Sequence, residues 1–177
     1  MERTWYLLLL STCFWALSCQ PTLKPMKPEP QPRILSGLGD RATFQQDKAF
    51  SWFKQNYKAY EVNRELLPRT GTLFDGLTFT IVMGTWCPDS RREVPCFYKI
   101  LDALGITDDQ VTLVNVDRSK QTPEGDEAGL DIQRVPTFII YRNAREIGRI
   151  VESPQTTLEG DLVLILKGQA PIPRYQD

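Results

Sequence analysis

Four cysteines and no histidine set the chemistry open to this 177-residue chain. The absence of histidine excludes Ser-His-Asp and Cys-His catalysis and histidine-ligated metals. Proton transfer is left to carboxylates, tyrosine, lysine, thiols or water. Of Cys13, Cys19, Cys87 and Cys96, Cys87 has the setting of a nucleophile. The apolar run Leu77 to Met83 reads as a buried strand. It passes through Gly84-Thr85-Trp86, and a helix is expected over 88–104. A cysteine at such a junction faces unpaired N–H groups and the positive end of the helix macrodipole. That placement favours the thiolate, which is the reactive form. Arg91 and Arg92 add to this if they lean back, and Asp89 opposes it. Cys96 follows nine residues later on the same helix. That separation is about 13.5 Å of rise and roughly half a turn, and a disulfide needs Cα atoms within about 7 Å. Cys96 is therefore read as a small core hydrophobe. Two sulfurs so placed make no metal set, and neither metal nor cofactor is expected.

The elements that must position Cys87 follow from periodicity. Ala49, Phe50, Phe53, Tyr57 and Tyr60 recur at helical spacing, predicting an amphipathic helix over roughly 43–61. After the strand at 77–83 and the helix closed by Gly105, Val111 to Val116 reads as a second buried strand. Asp117 to Gln133 is polar and loop-like. Thr137 to Tyr141 is a third strand, Asn143-Ala144-Arg145 a turn, and Glu146 to Val151 a fourth strand. Thr156 to Glu159 reads as a capping box for a last helix ending at Gly168. Two buried strands joined by a helix imply a right-handed parallel βαβ unit. The hairpin and last helix complete an α/β fold, with a central mixed sheet (βαβ then ββα) flanked by helices and an extra N-terminal helix.

Residues 1–18 have the features of a signal peptide, with an apolar run of thirteen residues from Trp5 to Leu17 that is short for a membrane span. Ala16-Leu17-Ser18-Cys19 resembles a bacterial lipoprotein box, which makes Cys19 the lipidated first residue. Ordinary secretion, or a buried N-terminal helix of a cytosolic protein, are the alternatives. Five of the thirteen prolines fall at 21, 25, 28, 30 and 32, so residues 19–40 read as an extended tether. The globular part is expected over 41–177. Lys plus Arg is 21 against 22 for Asp plus Glu, which argues against a nucleic-acid partner.

The segment around Cys87 resembles the thioredoxin superfamily. Trp86-Cys87 ends a central strand, Pro95 stands eight residues after the cysteine, and Val135-Pro136-Thr137 opens the third strand as the family's cis-proline loop does. The likeness covers about 75–177, and a tethered domain with Trp-Cys-x-x-Ser is similar to thioredoxin-family lipoproteins of the bacterial envelope. It implies a thioredoxin-like fold, Trp86 shaping the site, Pro136 cis opposite the sulfur, and the Val135 backbone pairing with substrate. Three departures stand out. The second active-site cysteine is Ser90, the buried acid six residues before Cys87 is Ile81, and Val111–Val116 offers no buried lysine. A peroxidase pattern is lacking too, with Thr80 and Gly84 where peroxiredoxins carry Pro and Thr.

A lone thiol can open a substrate disulfide but needs an external thiol to be released. The resulting expectation is a monomeric envelope protein exchanging disulfides with protein or small-molecule thiols through Cys87, with Ser90 and Trp86 in the site. It is lipid-anchored, or else soluble and secreted. The rival is a membrane-tethered binding module of the same fold without turnover. Arg91, Arg92 and Glu93 read as a solvated helix face, Glu124 to Glu127 as a solvated loop, and Trp52 as core.

Overall fold

A computed structural model describes residues 33–68 and 72–169. The signal peptide, Cys19 and the proline-rich segment up to residue 32 lie outside the described residues. Five strands form one mixed sheet: β1 (Gly37–Gly39), β2 (Leu77–Met83), β3 (Val111–Asn115), β4 (Thr137–Arg142) and β5 (Arg145–Val151). Their spatial order is β1-β3-β2-β4-β5. β2 and β3 are parallel, and the other pairs are antiparallel. The helices are α1 (Arg41–Gln46), α2 (Ser51–Ala59), α3 (Pro88–Leu104) and α4 (Leu158–Leu166). None of the described helices is long and apolar enough to cross a membrane.

Parallel β2 and β3 require a crossover, and α3 supplies it. Pro88 opens α3 where its missing N–H costs nothing, and Gly105 closes it in the left-handed conformation at φ 75°. Alternation along β2 separates two apolar clusters. Phe79, Ile81 and Met83 join one that also takes Phe44 of α1, Phe53 of α2, Phe97 of α3 and Leu162 of α4. Val82 joins Val114, Val116 and Val135 in the other. The four helices thus share one face of the sheet. The long connection from β3 to β4 crosses the opposite face as irregular chain, and its Leu130 and Ile132 pack there.

Several sequence expectations are corrected. The segment read as tether to residue 40 is partly fold: Gly37–Gly39 pairs with Leu113–Asn115, so the globular part begins before residue 41. The helix expected over 43–61 is broken at Asp47. The Asp47 carboxylate accepts from Ala49 N–H at 2.8 Å and opens a one-turn 3-10 helix, so α1 and α2 meet at a corner. The cap of α4 is Thr157, whose hydroxyl accepts from Gly160 N–H. Thr156 instead donates to Asp161, and Glu159 turns inward to Tyr60 and Asn63. The β4–β5 turn does fall at Asn143 and Ala144. Both have positive φ, as a two-residue hairpin turn requires.

Candidate functional site

β2 delivers the chain to Gly84, and five hydrogen bonds hold the turn that follows. Cys87 N–H donates to Gly84 O at 2.9 Å. Ser90 Oγ accepts from Gly84 N–H at 3.2 Å. Arg91 Nε donates to Thr85 O at 2.6 Å. Thr85 Oγ1 accepts from Leu35 N–H and donates to Arg33 O, which fastens the entering chain to the turn. Gly84 is required by close approach: a Cβ there would lie 2.6 Å from the Trp86 indole. The indole is pinned by Nε1–H donating to Val116 O at 3.0 Å, and the Arg118 guanidinium lies over its face at 5.3 Å.

Cys87 is the N-cap residue of α3. Its thiol donates to the Val135 carbonyl at 3.2 Å, the Val135–Pro136 peptide bond is cis, and the residue is only 7% exposed. Cys87, Trp86, Val135 and Pro136 are thus brought to one place. Ser90 lies one helical turn on, fully buried, and its hydroxyl serves Gly84. No hydrogen bond among the described residues joins it to Cys87. Ile81 is fully buried on the helical side, and its hydrocarbon side chain supplies no proton relay. Arg91 and Arg92 do not lean toward the sulfur. Arg91 is half-buried on Thr85 O, correcting its reading as solvated, and Arg92 pairs with Asp89 and Glu93.

Cys96 is a free, buried thiol, as is Cys87. Its Sγ–H donates to Arg92 O. Burial, then Glu93 and Glu159, push its pKa up to about 12. It is chemically quiet at neutral pH. Among the described residues no group of three or more acidic or cysteine side chains is placed to hold a metal.

Sequence reasoning missed three residues. Leu130 and Ile132 pack against the cluster holding Cys87 and Val135, and their apolar character inside a polar stretch was the available signal. Arg149 on β5 donates to Leu130 O at 2.8 Å and Asp131 O at 3.3 Å, a role nothing in its local sequence announces.

No family model matches the chain, and no curated protein matches it. A crystal structure of a protein of unknown function from Pseudomonas aeruginosa is similar, with a TM-score of 0.51, at 17% identity, over 76% of this chain and 94% of that one. At that identity the likeness bears on fold alone. The chain is a mixed α/β protein with a five-stranded sheet and helices packed on it.

Proposed function

We propose that this is a thiol–disulfide exchange protein of monothiol type on a thioredoxin-like fold. The observation that carries the reading is the meeting of Cys87, at the N-terminus of α3, with the Val135–Pro136 loop. Trp86 packs against the apolar cluster that holds Cys87, and Val135 offers backbone to a substrate strand. In the forward step the Cys87 thiol gives its proton to solvent. The thiolate then attacks one sulfur of a disulfide, a new S–S bond forms, the old one breaks, and the leaving sulfur departs as a thiolate. With Ser90 in place of a resolving cysteine, an external thiolate attacks the mixed disulfide and returns Cys87. Electrons are only passed between sulfurs.

The test is intact-mass analysis of the reduced protein incubated with glutathione disulfide. The reading expects one glutathione adduct at Cys87, removed by added reduced glutathione and lost in Cys87→Ala. No Cys87 adduct with this or a smaller aromatic disulfide overturns it. The burial of Cys87 and the engagement of Ser90 favour a second reading, a binding module without turnover. That reading expects equal partner affinity for wild type and Cys87→Ala. For either activity we infer a bacterial-envelope location from the likeness of Ala16-Leu17-Ser18-Cys19 to a lipoprotein box, with Cys19 as lipid anchor, and fatty-acid labelling of wild type against Cys19→Ala checks it.

A further inference from the structure

We propose that the β3–β4 connection, residues 117–133, is a hinged cover over Cys87 latched by Arg149, and that it decides the size of disulfide the thiol can reach. The inference deepens the thiol-exchange reading and rests on it.

The connection crosses the sheet face on which none of the described helices packs. Several of its polar groups are satisfied within it, while Asp126 Oδ2 is buried without a hydrogen-bond partner. Asp117 accepts from Ser119 and Gln121 N–H, Glu127 accepts from Thr122 N–H and Oγ1–H, and Thr122 Oγ1 accepts from Asp126 N–H. A segment with such bonds of its own can lift as a unit, and the Gln121, Leu130 and Asp131 carbonyls it frees from the body pass to water. Its ties to the body are of another kind. Leu130 and Ile132 rest on the apolar cluster around Cys87. Arg118 stacks on Trp86, and Ser36 Oγ–H donates to Gln121 O at 3.3 Å.

The strongest tie is Arg149. Its Nη1 binds two consecutive carbonyls, Leu130 O and Asp131 O. Its Nε and Nη2 are clamped by the Glu146 carboxylate on the same strand at 2.6 and 2.7 Å. Glu146 keeps the guanidinium in place whether or not the loop is seated, so the latch is preformed and reseating needs no search. Leu130 and Ile132 stand on either side of Asp131, whose φ of 51° is a left-handed conformation uncommon for a side-chain-bearing residue. The Arg149 bond to Asp131 O helps to hold that bend. Cys87 is nearly covered in this state. Low-molecular-weight disulfides reach it by small excursions, and a protein disulfide must displace the cover.

The experiment is peptide-resolved alkylation of the full reduced chain with N-ethylmaleimide and with a polymer-conjugated maleimide of the same reactivity. Arg149→Met is expected to raise the rate of polymer labelling at Cys87 roughly tenfold, the weight of one charge-assisted hydrogen bond. The N-ethylmaleimide rate rises less, and Cys96 stays unlabelled. Leu130→Ala, which leaves the latch intact, is expected to act in the same direction and decides the matter if Arg149→Met does not fold. Unchanged polymer labelling at Cys87, or Cys87 and Cys96 rising together, overturns the proposal. Alkylation reads access to sulfur and not exchange, so the cover can fail while the glutathione adduct forms, and the reverse.

Discussion

Gly84→Ala is the sharpest probe of how the site is built. The added Cβ would sit 2.6 Å from Cε2 and Nε1 of Trp86 and 2.9 Å from Cζ2. Ordinary contact is nearer 3.5 Å, so the ring must withdraw by about 1 Å. The ring is not free to do so, because Nε1 is held at 3.0 Å by Val116 O. Withdrawal breaks that bond and leaves the carbonyl of fully buried Val116 without its indole partner. Overpacking costs about 1–3 kcal/mol and the lost bond about 1 kcal/mol more. A loss of about 2–4 kcal/mol in the free energy of unfolding follows, measured by urea titration with an unchanged slope. A double-mutant cycle with Trp86→Phe separates this cause from others, since the smaller ring has no N–H to lose and more room to yield. The second substitution should recover 1 kcal/mol or so of the penalty. A cost below about 0.5 kcal/mol, or strict additivity in the cycle, refutes the reasoning that Gly84 exists to seat Trp86.

Three further outcomes follow from particular groups. Glu159, 1% exposed, ties α4 to Tyr60 and Asn63; Glu159→Ala should cost about 2–4 kcal/mol in urea and Glu159→Gln roughly half. The Cys96 thiol is raised from 9.0 to about 12, so the folded state keeps a proton that the unfolded chain releases. That contribution is complete below pH 9 and lost as pH rises toward 12, and Cys96→Ala should flatten the alkaline fall of the urea midpoint. Equal slopes in the two proteins would count against it. Ala144 sits at φ 61°, where a Cβ is unfavourable, and Ala144→Gly should raise stability by about 0.5–1 kcal/mol in thermal melts.

The central elements were legible because each carries a local signal. β2 is an unbroken apolar run, and α3 is bracketed by Pro88 and Gly105. β1 carried none: Gly37-Leu38-Gly39 is three residues with two glycines, and its strand identity comes from pairing with Leu113–Asn115. The break at Asp47 was hidden because aromatic spacing runs on through it, while a short carboxylate captures Ala49 N–H and outcompetes helix continuation. At the site, sequence reasoning found Trp86, Cys87, Val135 and Pro136 and placed them together. It assigned Ser90 by position relative to Cys87, whereas the hydroxyl's work is set by Gly84 N–H. Arg149 was out of reach, since its partners are loop carbonyls 19 and 18 residues away in sequence.

The arrangement divides rigidity from motion. The turn carrying Cys87 is fixed by the Thr85 hydroxyl to the entering chain, by Arg91 to the Thr85 carbonyl, by Ser90 to Gly84 and by Trp86 to Val116. Releasing it means breaking several of these bonds at once. The coil across the sheet rests on two partly buried apolar side chains, two carbonyl bonds to one guanidinium, a stacked Arg118 and one Ser36 hydroxyl bond to Gln121 O. Any movement that exposes the sulfur therefore falls to the coil. Substitutions in the turn should alter how Cys87 is aimed, and substitutions at the latch should alter how often it is seen.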